Sequence, residues 1–127
     1  MKINYHTHSN FCNHACGNLE DYVKAAIDIG LTELGFSEHG PYIFEDGHES
    51  GFRMKISRVE EYVSTLKALR EKYKDKVKIH IGFELEYYPK YFESISRYPI
   101  ASAICVTSIS SLSSRSAKVR ASFTILV

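Results

Sequence analysis

Two histidines separated by one residue, His6 and His8, stand at the end of the first apolar run of the chain. Side chains two apart on a β-strand point to the same face and lie roughly 7 Å apart along it, twice the ~3.3 Å rise. Two imidazoles at that separation can lean onto one metal ion, and histidine is the commonest metal ligand in proteins. The pair is short, so its interpretation as a metal site depends on the residues that follow.

The hydrophobic pattern predicts the element order β-α-β-loop-α-β for the positions that carry these histidines. The first helix is expected to begin after Asn18, a typical N-cap residue, and to end before Gly30. Residues 34–37 indicate a short buried strand, and a capping box at residues 57–60 is expected to open the second helix. Strict alternation over residues 77–84 predicts the next strand.

This order favours a parallel sheet or barrel with helices outside, because βαβ units are right-handed and have helices on the faces of the sheet. In such folds functional groups gather at the C-terminal ends of the strands. Imidazoles and carboxylates are expected at that edge, and both kinds of group bind divalent metals. The residues concerned are His6, His8, His14, Glu38, His39, Glu84 and Glu86.

The length and charge of the chain limit its domain number and the kinds of partner expected for it. The chain has 127 residues with 16 basic and 15 acidic side chains, a formal net charge of +1. This balance favours one globular domain and argues against a nucleic-acid or membrane partner. The N-terminus lacks the apolar stretch of a signal peptide, so we expect a cytoplasmic protein.

The three cysteines leave two interpretations open. Cys12 and Cys16 flank His14, a spacing that could form a zinc knot, since thiolate and imidazole both suit zinc. Alternatively both are reduced cysteines in a loop, and no second cysteine cluster follows them. An odd number of cysteines argues against a disulfide framework.

Three motifs resemble the opening motifs of the PHP (polymerase and histidinol phosphatase) superfamily. They are YHTHSNFCNH at residues 5–14, GFSEH at residues 35–39 and GFELEYYP at residues 82–89. Three further features are similar to the histidinol-phosphatase family. They are the Cys-x-His extension of the first motif, the Phe-Arg-Met of residues 52–54 and the Glu-Tyr-Tyr-Pro ending of the third motif. The resemblance extends from Met1 to about Pro99.

The resemblance implies a distorted (βα)7-type barrel with up to three divalent metal ions, Zn, Fe or Mn. By that resemblance His6 and His8 bind one metal, Glu84 bridges it to a second, and His14 and His39 bind a third. Metal ions at such a site clamp phosphate oxygens and lower the pKa of bound water, so a metal-bound hydroxide can attack phosphorus. The implied reaction converts L-histidinol phosphate, a small phosphate ester, to L-histidinol and phosphate in L-histidine biosynthesis. No catalytic side chain is assigned.

Other polar residues near these motifs have less specific interpretations. Glu38 either orients a histidine ligand from the second coordination sphere or is a solvated carboxylate. Arg53 either binds the substrate phosphate or is a lone loop arginine. His48 and His80 are not expected to be ligands.

The last part of the chain departs from the family pattern. No histidine follows His80, no acidic residue follows Glu93, and residues 94–127 hold ten serines. We expect residues 1–99 to form a β-α-β-α-β unit with half of the metal site, and residues 100–127 a divergent serine-rich tail with one strand followed by disorder. Such a tail suggests a truncated or frame-shifted reading of the gene.

Three or four strands cannot close a barrel, so the fold is expected to be an open, incomplete part of one. An inactive fragment with a partial metal site is therefore the alternative to an active phosphatase, and another PHP-type phosphoesterase is a third interpretation. The sequence leaves the oligomeric state open.

Overall fold

The computed structural model describes residues 2–86, 108–109 and 121–126. Its strands are β1 (Ile3–Thr7), β2 (Glu33–His39), β3 (Lys78–Glu86), β4 (Ser108–Ile109) and β5 (Ala121–Leu126). Its α-helices are α1 (Leu19–Asp28) and α2 (Val59–Lys72), and short 3-10 turns span Asn10–Cys12 and Ile56–Arg58. The predicted order β-α-β-loop-α-β is confirmed.

The strands form one sheet in the order β1-β2-β3-β5-β4. β1, β2 and β3 run parallel, so their C-terminal ends meet at one edge. β5 pairs antiparallel with the second half of β3, and β4 pairs antiparallel with β5. The described strands form an open sheet and do not close a barrel, as predicted.

The predicted serine-rich tail is described only in part. Residues 108–109 and 121–126 belong to it and are strands β4 and β5. The strand predicted in this tail spans residues 100–109, and residues 100–107 lie outside the described residues. The proposed division of the chain at residue 99 stays a prediction.

One face of the parallel strands forms the hydrophobic core with the helices. Alternate residues of β2 and β3 are buried on this face because each second side chain points the same way. They are Leu34, Phe36, Ile79, Ile81, Phe83 and Leu85, and they pack with Val23 of α1 and with Tyr62 and Leu66 of α2. Each such side chain contributes about 1.5–3 kcal/mol by leaving water. The opposite face of the same strands carries polar side chains.

The end of α1 follows the prediction. Gly30 adopts φ +76°, the left-handed conformation that glycine tolerates best. The N–H of Gly30 donates to the carbonyl of Ile27 and the N–H of Leu31 donates to that of Ala26, which is a Schellman motif. At the other end the Asp21 carboxylate accepts from the N–H of Asn18 at 2.9 Å.

The capping box predicted at residues 57–60 is wrong. Ser57 lies inside the 3-10 turn Ile56–Arg58, which leads directly into α2, and makes no capping hydrogen bond. Arg58 takes the N-cap position in helical geometry, and its guanidinium pairs with Glu61 at 3.2 Å. The 3-10 turn displaces the helix start by one residue, so a serine-glutamate spacing no longer spans the cap.

No helix in the described ranges is both long enough and apolar enough to cross a membrane.

Candidate metal centre

The C-terminal ends of the three parallel strands bring a carboxylate and several imidazoles together. His39, the last residue of β2, is the register partner of Glu84 on β3. His6 lies near the end of β1, and His8 follows that strand directly. Four of the predicted ligands therefore meet because parallel strands end at one edge of the sheet.

One carboxylate oxygen of Glu84 is the centre of this cluster. Glu84 Oε2 lies 3.1 Å from His8 Nε2, 3.3 Å from His6 Nε2 and 3.5 Å from His39 Nδ1. The two Nε2 atoms of His6 and His8 are 3.0 Å apart. Two ligands bound to one tetrahedral zinc at ~2.05 Å lie about 3.3 Å from each other. The spacing of these donor atoms therefore fits one divalent ion.

His14 reaches the same edge from the loop after β1. Its ring centroid is 4.7 Å from that of His39, so the two residues that the resemblance assigns to a third ion do lie together. His39 Nδ1 is buried without a hydrogen-bond partner among the described residues. Buried polar atoms are nearly always satisfied, so an unpaired imidazole nitrogen beside a carboxylate also fits a cation ligand.

The local electrostatics favour an ionised Glu84 between imidazoles. The hydrogen bond from His8 lowers the pKa of Glu84, although burial opposes the shift. The contacts with Cys12 and with Glu84 raise the pKa of His8 to about 9. Burial lowers the pKa of His39 to about 4, which keeps this ring neutral and its lone pair available near neutral pH.

Cys12 lies beneath the imidazoles and is completely buried. Its sulfur is 3.4 Å from His8 Nδ1 and 3.3 Å from His14 Nδ1. It belongs to the 3-10 turn Asn10–Cys12, and Asn13 follows in the left-handed conformation at φ +60°, which turns His14 back toward the site. Cys16, by contrast, is exposed, so the structure does not bring the two cysteines of the predicted zinc knot to one site.

Glu38 is also fully buried, and the prediction of a solvated carboxylate is wrong for this residue. It alternates with His39, so it points to the helix-facing side of the sheet, where its register partner is Phe83. Its Oε1 accepts a short hydrogen bond from Ser9 Oγ. The structure thus places it against Ser9, next in sequence to His8, and its hydrogen bonds with the described residues include none to a histidine ring.

Arg53 lies at the border of the centre, inside the long loop of residues 40–56. Its side chain is 5% exposed and its guanidinium lies 4.8 Å from the ring centroids of both Tyr42 and Phe52. Nη1 donates to the carbonyl of Gly40 at 3.3 Å. The interpretation as a lone loop arginine underestimates these contacts, and its proposed phosphate contact stays a prediction.

His80 belongs to a separate group on the same face of the sheet, four residues before Glu84. Its Nε2 lies 2.6 Å from Glu33 Oε2, which also accepts from Tyr5 Oη at 2.9 Å. His48 is exposed in the loop. The structure thus keeps both histidines apart from the cluster around Glu84.

In the sequence, Cys12 has only the interpretations of a zinc-knot ligand or a loop thiol, and Ser9 has no predicted role. Both are fully buried and link the β1 loop to the histidines and to Glu38. The spacing His8-x3-Cys12-x-His14 could have indicated a contact between the thiol and both imidazoles. It predicts that contact only if the residues between His8 and His14 form a 3-10 turn.

The fold and this cluster together define an α/β protein with a candidate divalent-metal site at the carboxyl ends of parallel strands. The chain belongs to the PHP domain family, whose model matches residues 4–122. The predicted resemblance is confirmed, and the match continues beyond residue 99.

Its relatives include histidinol-phosphatases. A probable histidinol-phosphatase of Deinococcus radiodurans is 30% identical over 84 residues, which are 66% of this chain and 32% of that protein. A probable histidinol-phosphatase of Schizosaccharomyces pombe is 37% identical over 93 residues, 68% of this chain and 30% of that protein. The chain spans about a third of the length of these relatives.

A solved structure agrees with the fold. The histidinol phosphate phosphatase of Lactococcus lactis, crystallised with Zn, L-histidinol and phosphate, superposes with a TM-score of 0.64 at 28% identity. The match covers 82% of this chain and 37% of that protein.

Proposed function

We propose that this chain carries the metal site of a histidinol-phosphatase-type phosphomonoester hydrolase, which converts L-histidinol phosphate and water to L-histidinol and phosphate. The observation that carries the proposal is Glu84 Oε2 within 3.5 Å of nitrogens from three histidines, His6 of β1, His8 of the loop after it and His39 of β2. The histidinol-phosphatase relatives and the Lactococcus lactis complex support the substrate.

The ligand assignment follows the donor sets. His6, His8 and Glu84 would hold one ion, since their donor atoms lie within 4.8 Å of one another. Glu84 would bridge to a second ion, and the adjacent rings of His14 and His39 would contribute to a third. The Lactococcus lactis complex supports zinc, and Fe and Mn suit the same nitrogen and oxygen ligands.

Each residue then has a defined task. Bound ions would supply charge for the phosphate oxygens and acidify water, which is the chemistry the reaction needs. Glu84 offsets part of the cationic charge, and the neutral ring of His39 offers a lone pair. Arg53 contributes a fixed positive charge at the border of the site, and we propose that it attracts the phosphate group.

The same chemistry suggests a setting. L-histidinol is the alcohol precursor of histidine, so we place the reaction in L-histidine biosynthesis. Cys12 and Cys16 are free thiols, which fits a reducing compartment, and we propose the cytoplasm.

A second candidate is a chain that binds metal without turning over substrate. It is favoured by one sequence observation: no histidine follows His80 and no acidic residue follows Glu93, so this part of the chain provides few further metal ligands. The two candidates share the cluster around Glu84 and differ in catalysis.

The deciding experiment measures phosphate release from L-histidinol phosphate by the purified 127-residue chain loaded separately with Zn²⁺, Mn²⁺ or Fe²⁺. We expect release that the double variant His6→Ala/His8→Ala lacks. The matched control is His80→Ala, a histidine on the same sheet face outside the cluster, which should retain activity.

Two outcomes separate the candidates. Release no greater than that of the double variant, with metal bound by the wild-type chain, would reject the phosphatase and support the metal binder. Equal release from phosphate esters unrelated to histidinol would instead indicate another PHP-type phosphoesterase.

A further inference from the structure

We propose that Cys12 is a positioning residue of the metal centre: its sulfur holds the Nδ1 atoms of His8 and His14, so that Nε2 of each ring faces the metal. The inference rests on the proposed metal site and adds a residue to it. It gives the buried thiol a task other than metal ligation.

Cys12 has a hydrogen-bond partner for its S–H group and for its sulfur lone pairs, as a neutral thiol requires. Sγ lies 3.4 Å from His8 Nδ1, 3.3 Å from His14 Nδ1 and 3.8 Å from the carbonyl oxygen of Ser9. A carbonyl oxygen can only accept, so the S–H group donates to Ser9. The sulfur lone pairs then accept from the Nδ1–H groups of the two imidazoles.

This arrangement sets the tautomer of both rings. When a metal ion takes the place of the Nε2 proton that His8 donates to Glu84, the ring keeps one N–H, on Nδ1, and binds the metal through the Nε2 lone pair. The Nε2 atom of His8 does face the ligand cluster, at 3.0 Å from His6 Nε2 and 3.1 Å from Glu84 Oε2. Metal-binding histidines commonly donate their other N–H to a fixed acceptor in this way.

The geometry argues against Cys12 as a ligand in its own right. His8, Cys12 and His14 have donor atoms within 4.8 Å of one another, so a metal could be drawn among them. Such an ion would use His8 Nδ1, while the ion beside Glu84 uses His8 Nε2. One neutral ring has a single lone pair, so the two sites compete for His8, and the site around Glu84 has the additional imidazole of His39, whose Nδ1 lies 3.5 Å from Glu84 Oε2.

A buried hydrogen-bond chain keeps Cys12 in place. Ser9, whose carbonyl accepts from the thiol, donates its hydroxyl to Glu38 and accepts from the N–H of Phe11 at 3.3 Å. Ser9, Cys12 and Glu38 are all 0% exposed. Glu38 therefore anchors Ser9, and through Ser9 the turn that carries Cys12.

The first test identifies the nitrogen that binds zinc. Long-range ¹H–¹⁵N spectra of the zinc-loaded 127-residue chain distinguish a metal-bound nitrogen from a protonated one in each ring. We expect Nε2 bound and Nδ1 protonated in both His8 and His14. Zinc on Nδ1 of either ring would overturn the proposal, and this measurement requires no variant.

The second test uses substitutions. Cys12→Ala should weaken zinc binding about 10- to 100-fold, the usual effect of removing an outer partner of a metal ligand. Cys12→Ser keeps an acceptor and should restore much of the affinity. Cys16→Ala, an exposed cysteine four residues later, should bind zinc like the wild-type chain.

A third measurement excludes direct ligation. The cobalt-loaded wild-type chain should lack the near-ultraviolet charge-transfer band of a thiolate ligand; a band that disappears in Cys12→Ser would contradict the proposal. Zinc on Nε2 without phosphate release would reject the phosphatase and keep this inference. Phosphate release with sulfur ligation would keep the phosphatase and reject the positioning role of Cys12. A wild-type chain that binds no zinc would reject both proposals.

Discussion

His39 and Glu84 face each other across strands β2 and β3 as register partners, with His39 Nδ1 3.5 Å from Glu84 Oε2. The pairing is a property of the parallel sheet, because register fixes which side chains stand opposite. It places the carboxylate where histidines from β1 and its following loop also converge. The candidate metal centre thus depends on strand register as much as on the chemistry of its donor groups.

Glu84→Gln should reduce zinc affinity by more than the ~10- to 100-fold typical of an outer partner, because it removes the one carboxylate of the cluster. Zinc content after dialysis and calorimetric titration would measure the loss. Glu33→Gln is the control, since Glu33 lies on the same sheet face but contacts Tyr5 and His80. Equal zinc binding by Glu84→Gln and the wild-type chain would place the ion elsewhere.

Gly35→Ala should both destabilise the chain and weaken zinc binding. A Cβ at Gly35 would lie 2.8 Å from Cα of Tyr5, so β1 must move away from β2 and carry His6 with it. Overpacking of this kind costs about 1–3 kcal/mol. Urea unfolding and zinc titration of Gly35→Ala measure the two effects.

Gly51→Ala is the matched control for that substitution, because nothing lies within 4 Å of a Cβ there and its backbone is not in the left-handed region. It should bind zinc and unfold as the wild-type chain does. A Gly35→Ala chain with unchanged zinc affinity would show that the position of β1 does not limit the site.

The sequence was sufficient for the residues that strand geometry controls. His39 and Glu84 follow from two parallel strands that end at the same edge, and Gly30 follows from the need for a positive φ after α1. In each case one local rule, either the meeting of parallel strand ends or the need for a positive φ, determines where the residue lies. Hydrophobic alternation also assigned the core face of β3 correctly, since Ile79 and Ile81 are buried.

The residues that were missed depend on irregular backbone. Cys12 reaches two imidazoles because a 3-10 turn and the left-handed Asn13 fold the loop under them, and neither leaves a periodic pattern. Ser57 matched a capping box, but the 3-10 turn before α2 moved the helix start to Arg58. Arg53 is buried by aromatic rings that the loop sequence alone does not bring together.

Tyr62→Phe should lower the free energy of unfolding by about 1–3 kcal/mol, because it leaves a buried acceptor unpaired. The Tyr62 hydroxyl is fully buried and donates to the carbonyl of Gly82 at 3.0 Å. Tyr22→Phe is the control: its hydroxyl donates to the carbonyl of exposed Cys16, which water can reach, so the loss should be smaller. Equal losses in urea unfolding would contradict this account.

Stability should also fall in acid through Glu20, which joins α1 to the end of α2. Its Oε1 accepts from Lys72 Nζ at 2.8 Å and from Tyr73 Oη at 2.6 Å, and these two contacts lower the pKa of Glu20 to about 2. A carboxyl with a lowered folded-state pKa stabilises the fold above its ordinary pKa of 4.5, and this stabilisation is lost as the pH falls toward 2. Glu20→Gln should therefore unfold at a lower urea concentration than the wild-type chain near neutral pH, with a difference that shrinks in acid.

High salt should screen the ion pair with Lys72 and leave the hydrogen bond from Tyr73, so the difference in unfolding at neutral pH should decrease without disappearing. A difference of the same size at both pH values would show that the ionised form of Glu20 does not stabilise the contact between the helices.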